Sequence, residues 1–76
     1  MNTWAHAGAF GGIETWTAKV QGHRLTLMGG HYSGRWGADV AGETSPEIFA
    51  DDPDGAKSKA AEWASEVIDA KSVGTR

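Results

Sequence analysis

A complete β-hairpin signal in residues 13–28 constrains the fold of this 76-residue chain more than any other feature. Residues 13–20 are rich in β-branched and aromatic side chains, which favour strands. Gln21-Gly22 follows as a two-residue turn, because glycine readily adopts the positive φ that such a turn requires. A turn of this length sets the register of the strands on either side. The predicted cross-strand pairs are Val20 with His23, Ala18 with Leu25, and Trp16 with Leu27.

Side-chain alternation divides the hairpin into an apolar face and a polar face. The apolar face carries Trp16, Ala18, Val20, Leu25 and Leu27. The polar face carries Thr15, Thr17, Lys19, Arg24, Thr26 and Met28. After a predicted loop over residues 29–34, a third strand over residues 35–41 continues the pattern. Its apolar side carries Trp36, Ala38 and Val40.

Shorter segments flank these three strands. Residues 1–12 contain three glycines, which indicate an extended arm or a short irregular strand. Residues 42–46 predict a turn. Residues 47–50 predict a short fourth strand, in which Ile48 or Phe49 faces the core.

Residues 51–71 predict a single helix. Asp51 or Asp52 can cap its start, and Pro53 suits the first helical position. Asp54 lies in the first turn, where the helix dipole favours a negative charge. Apolar side chains recur at spacings of three and four residues, at Ala56, Ala60, Trp63, Ala64, Val67 and Ala70. We expect this stripe to pack on the sheet, with Trp63 and Val67 as its large anchors.

These elements predict an α+β fold, in which a β-meander of three or four antiparallel strands carries one C-terminal helix on one face. Residues 1–76 are expected to form a single domain, with residues 13–50 in the sheet and residues 72–76 as a frayed tail. The absence of cysteine excludes disulfides and thiolate chemistry. No apolar run approaches the ~20 residues of a bilayer span, and no signal-peptide pattern is present, so we expect a soluble intracellular protein.

Four patterns that could carry chemistry are better explained as structure. His6, His23 and His31 have an irregular spacing, unlike the ligands of a zinc site. The acidic run over residues 51–55 lacks the ligand spacing of an EF-hand, and the glycine-rich run over residues 29–34 lacks the Lys-Ser/Thr pair of a phosphate loop. No serine stands in a G-x-S-x-G elbow. We therefore expect a protein that is not an enzyme and uses no metal, cofactor or small-molecule substrate.

The charge is unevenly distributed and suggests alternative binding surfaces. The net charge is −3, and residues 41–76 hold most of the carboxylates. The first candidate is an acidic surface that can dock on a basic groove of a partner and compete with nucleic acid. It comprises Asp51, Asp52, Asp54, Glu62, Glu66 and Asp69. The second candidate is the polar sheet face, where Lys19, Arg24, Tyr32 and Arg35 suit single-stranded nucleic acid. A third alternative is an assembly protein that dimerises through an exposed strand edge.

Three segments resemble small phage and prophage proteins in which a Trp-rich β-meander precedes one Ala-rich helix. They are W-T-A-K-V-Q-G-H-R-L-T-L (16–27), G-R-W-G-A-D-V-A-G (34–42) and A-K-S-K-A-A-E-W-A (56–64). Within that group the chain is similar to small anti-CRISPR proteins. The resemblance covers about residues 13–70 and implies a non-enzymatic inhibitor, monomeric or homodimeric, in the cytoplasm of a bacterial host. The implied partner is a CRISPR effector, or another nucleic-acid-binding complex, whose engagement of DNA is blocked.

Overall fold

The computed structural model describes residues 3–30 and 34–74, with side chains described as far as residue 71. It shows an antiparallel sheet with one helix packed against it. The strands are β1 (Ala5–Phe10), β2 (Ile13–Val20), β3 (His23–Gly30), β4 (Arg35–Val40), β5 (Glu43–Thr44) and β6 (Ile48–Phe49), and the helix is α1 (Pro53–Gly74). Strands β1 to β5 lie side by side in chain order, and β6 also pairs with β4. The predicted α+β class is confirmed, and the sheet has six strands where three or four were expected.

The central hairpin, β2 and β3, has the predicted register. Val20 pairs with His23, Ala18 with Leu25, and Trp16 with Leu27. Gln21 and Gly22 have φ angles of 50° and 84°, the two positive values of a type I′ turn. The predicted apolar face is the core face, since Leu25 and Leu27 are fully buried.

Residues 5–10 form the strand β1, where an extended arm or a short irregular strand was expected. Five of the six residues of β1 pair with residues of β2, and the register shifts between His6 and Gly8, so the strand is irregular. Gly11 and Gly12 have φ angles of 60° and 84° and form a second turn with two positive angles. The glycines therefore close a hairpin instead of keeping this segment out of the sheet.

A third turn of the same kind adds a strand that was not predicted. Ala41 and Gly42 have φ angles of 51° and 81°, and this turn brings β5 alongside β4. The predicted turn over residues 42–46 is therefore wrong at residues 43 and 44, because alanine gives no sequence signal for a positive φ. Ser45 ends the strand, where its Oγ accepts a 3.0 Å hydrogen bond from the Ala38 N–H.

β3 extends through Gly29 and Gly30, so the predicted loop over residues 29–34 is wrong at those two positions. Gly29 pairs with Trp36. A Cβ at Gly29 would lie 2.7 Å from atoms of the Trp36 ring, so only glycine lets the indole lie across β3. Residues 31–33 are outside the described residues, and the predicted binding residue Tyr32 is one of them.

The core lies between the sheet and α1. Its buried side chains are Ala18, Val20, Leu25, Leu27, Trp36, Ala38 and Val40 from the sheet, and Ala56, Ala60, Ala64 and Ile68 from the helix. The expectation that Trp63 and Val67 anchor the helix is wrong, because both are only partly buried against the margin of the core. A row of alanines lets the helix backbone approach the sheet closely, and this orientation turns the large Trp63 side chain towards the edge.

The structure decides two alternatives that the sequence left open. Asp52, and not Asp51, caps α1, because its Oδ1 accepts a 2.7 Å hydrogen bond from the Gly55 N–H. In β6, Ile48 pairs with Trp36 and packs against the core. Phe49 lies on the other face and is exposed.

α1 is longer than predicted. It has 22 residues and continues through Gly74, beyond the expected end at residue 71, so residues 72–74 do not belong to a frayed tail. Within residues 3–30 and 34–74, no helix is both long enough and apolar enough to cross a membrane.

Candidate functional site

The outer surface of α1, opposite the buried alanines, carries three of the six predicted acidic residues. Glu62, Glu66 and Asp69 are all exposed, and successive carboxylates lie about one helical turn apart, at ~5–6 Å. Neither Glu62 nor Glu66 forms an ion pair with another described residue, and the two border a shallow groove of about 500 Å³. Asp69 accepts a 3.3 Å hydrogen bond from Gln21 Nε2. We call these three residues the acidic helix face.

The lysines of α1 all bond away from the acidic helix face. Lys57 Nζ lies 3.5 Å from the centroid of the Trp16 ring, on the sheet side of the helix. Lys59 Nζ donates a hydrogen bond to the Phe49 carbonyl at 2.5 Å. Lys71 Nζ lies 3.3 Å from Glu43 Oε2 of β5. Among the described residues, no ammonium group therefore lies within ion-pair distance of the acidic helix face, and the charge of the helix is segregated.

The other three predicted acidic residues form a separate group at the start of α1. Asp52 is engaged as the helix cap. Asp54 lies 3.7 Å from Lys57 Nζ through its Oδ1, although its side chain is 94% exposed. Eight residues of helix separate Asp54 from Glu62, a distance of ~12 Å along the axis. The predicted acidic surface is thus divided into two groups. Among the described residues, Lys57 approaches Asp54 in the group at the helix start, and no cation pairs with the acidic helix face.

The cations predicted for the sheet face do not come together. Lys19 and Arg24 form a cross-strand pair at one end of the face that α1 leaves uncovered. Arg35 pairs with Gly30, which lies six residues beyond Arg24 along β3, or ~20 Å away. The uncovered face therefore offers two adjacent cations at one end rather than the expected cluster.

Apolar side chains dominate the other end of the uncovered face. Among the described residues, the exposed large hydrophobic side chains are Phe10 (89% exposed), Ile13 (50%), Met28 (47%) and Phe49 (59%). Paired residues in a sheet share a face, so all four lie on the side opposite α1. We call them the apolar patch. Sequence reasoning recognised only Met28 on this face; the turn at residues 11–12 was the signal that would have placed Phe10 beside Ile13.

A compact cluster surrounds Trp16 on the helix side of the sheet. The His6 and Trp16 ring centroids are 4.6 Å apart, and Lys57 covers the same indole. His6 Nε2 lies 4.0 Å from Glu14 Oε1. Within the described part of the chain, no group of three or more His, Asp or Glu side chains could hold a metal ion. We interpret the cluster as packing that joins β1, β2 and α1.

Comparisons with protein-family models, with curated proteins and with solved structures find no match to this chain.

Proposed function

We propose that this chain is a non-enzymatic binding protein whose acidic helix face docks on a cationic surface of a protein partner. The segregation of charge on α1 carries the proposal. Glu62 and Glu66 are exposed and unpaired within the described residues, whereas the lysines of the helix bond towards the sheet or the helix start. Such a carboxylate cluster attracts a positively charged surface over a distance and orients the encounter.

The partner that fits best is a protein that itself binds nucleic acid. Proteins of this kind carry grooves lined by Lys and Arg that neutralise phosphates. A line of carboxylates one helical turn apart presents negative charges in a row, as a phosphate backbone does. The resemblance to small anti-CRISPR proteins makes a bacterial CRISPR effector the first partner to test. The activity would be inhibition, because an occupied groove cannot engage DNA.

The alternative function, direct binding of single-stranded nucleic acid on the sheet, has weaker support. Phosphate binding gains from several cations close together. The uncovered face offers the Lys19–Arg24 pair at one end, and the exposed side chains at the other end are mainly apolar. Direct DNA binding would appear in a gel-shift assay as a shift of DNA by this chain alone.

The test is whether the protein inhibits DNA binding by a purified CRISPR effector complex in a gel-shift assay. We expect wild-type protein to reduce the shift in proportion to its concentration, and less so as salt rises, because exposed charges are screened. The double variant Glu62→Lys/Glu66→Lys should lose this inhibition. The matched control Asp39→Lys/Glu47→Lys makes the same change in net charge on exposed residues elsewhere, and it should inhibit like the wild type.

Three results would contradict the proposal. Wild-type protein without effect on the effector complexes would refute this partner class. Full inhibition by Glu62→Lys/Glu66→Lys, in a variant shown by circular dichroism to be folded, would refute the acidic helix face. A DNA shift by the chain alone that Lys19→Glu/Arg24→Glu abolishes would favour the nucleic-acid-binding alternative.

A further inference from the structure

We infer that the apolar patch is the contact surface between two copies of this chain. The inference rests on the geometry of the sheet and is independent of the proposed function. α1 covers the opposite face of the sheet, so nothing in the described part of the chain packs on the patch. Exposed apolar side chains gathered in one place mark an interaction surface, whereas scattered ones do not.

Strand pairing places the patch in two neighbouring rows across the sheet. Phe10 and Ile13 lie opposite each other in the first row, and Phe49 belongs to the far end of that row, beyond Gly30 and Arg35. Met28 lies in the second row, opposite Gly37 of β4. The surface is flat next to Met28 because glycine has no side chain. A flat apolar surface can pack against a copy of itself, as the inner faces of two sheets do.

The area is sufficient for a specific, weak dimer. Strands β1 to β4, ~4.8 Å apart, and about six residues at ~3.3 Å along each strand give a face of about 400 Å² per copy. Side chains project from the plane of the sheet and add to this area. Two facing copies therefore bury on the order of 1,000 Å² in total, which is the lower limit for a specific interface. A dimer that forms at micromolar concentrations is therefore expected.

The charges around the patch specify how the two copies face each other. With parallel strands, a two-fold axis between β2 and β3 would place the Lys19–Arg24 pairs of the two copies against each other, and Arg35 of β4 would face Phe10 of β1. With antiparallel strands, a two-fold axis along the row of Met28 moves the Lys19–Arg24 pairs to opposite ends of the dimer. The row of Arg35 then faces the row of Asp39 in the second copy, because these residues lie on either side of Gly37. Opposite charges therefore meet only in the antiparallel arrangement.

Sedimentation velocity of the full chain over a range of micromolar concentrations tests the contact. We expect wild-type protein to shift from monomer to dimer as concentration rises. Phe10→Lys/Met28→Lys should raise the dimer dissociation constant by about tenfold or more, because two charges enter the apolar contact. The control Ser58→Lys/Ala70→Lys makes the same change in net charge at exposed positions of α1 and should dimerise like the wild type. A wild-type chain that stays monomeric, or a dimer that Phe10→Lys/Met28→Lys leaves intact, would overturn the inference.

Cross-linking of single-cysteine variants tests the orientation, and the chain has no cysteine of its own. Packed sheets lie ~10 Å apart, beyond the reach of a disulfide, so a short bismaleimide is the appropriate reagent. Thr15→Cys lies in the row of Met28 and should cross-link in high yield. Lys19→Cys should cross-link poorly, because the axis separates the two copies of that residue. Efficient cross-linking through Lys19→Cys with little through Thr15→Cys would refute the antiparallel dimer.

Discussion

The ammonium group of Lys57 lies over the indole of Trp16, with Nζ 3.5 Å from the ring centroid. The Lys57 side chain is only 16% exposed, and His6 packs against the same ring. This contact joins the first turns of α1 to β2 at the margin of the core, where Trp16 is only partly buried. A cation over an aromatic face is held more strongly when it is shielded from water.

Replacement of Lys57 should therefore lower stability. We expect Lys57→Ala to reduce the free energy of unfolding by about 1–2 kcal/mol, because both the cation and the methylene stem that covers Trp16 are lost. Lys57→Met keeps an apolar stem and should cost about half as much. Urea denaturation followed by tryptophan fluorescence measures both values. If Lys57→Ala were as stable as the wild type, the contact with Trp16 would contribute nothing.

Two glycines with open space around them should respond in opposite ways to alanine. Gly22 has a φ of 84°, whereas Gly37 does not have a positive φ, and an added Cβ would meet nothing within 4 Å at either position. Gly22→Ala should destabilise by about 1–2 kcal/mol, since an L-residue is strained in that conformation. Gly37→Ala should be neutral or stabilising by up to about 1 kcal/mol. Thermal unfolding compares the pair, and equal effects would show that backbone conformation is not the cause.

Two of the tryptophans on the helix side of the sheet, Trp36 and Trp63, should differ in importance. Trp36 is 2% exposed and in the core cluster, whereas Trp63 is only partly buried at its margin. Trp36→Ala should cost about 3–5 kcal/mol, which is enough to unfold much of a domain this small. Trp63→Ala should cost distinctly less and leave a cooperative transition. Circular dichroism melts of both variants check this order, and the reverse order would place Trp63 in the core.

The cap of α1 offers a comparison between two adjacent carboxylates. Asp52 Oδ1 accepts the hydrogen bond from Gly55, and Asp51 makes no such bond. Asp52→Ala should destabilise by about 1 kcal/mol, while Asp51→Ala should change stability by less than about 0.5 kcal/mol. Chemical denaturation of the two variants gives the comparison. A larger effect at Asp51 would contradict the assignment of the cap.

The candidate surfaces were predictable to different degrees. Glu62 and Glu66 lie four residues apart in a helix, so helical spacing alone indicated that they share a face. The apolar patch was not predictable in the same way. Phe10, Met28 and Phe49 come from separate strands, and they lie 18 and 21 residues apart in the sequence. They become one surface only through strand pairing. That pairing depends on several turns, of which only the one at residues 21–22 was placed correctly from the sequence.

The elements whose cause is local could be predicted from the amino-acid sequence. The Gln21-Gly22 turn and the alternation on either side of it are enough to set the register of β2 and β3, because a shift of one residue would turn every apolar side chain out of the core. Which helix residues face the sheet depends instead on how the helix and the sheet pack together. Ala60 and Trp63 both lie on the apolar stripe, and the choice between them depends on how closely the two layers approach. Trp36 occupies the space between the layers, and the alanine row allows the close approach, so Trp63 is displaced to the margin. The position of Trp63 therefore depends on how the helix and the sheet fit together, and it cannot be predicted from the helix sequence or the sheet sequence alone.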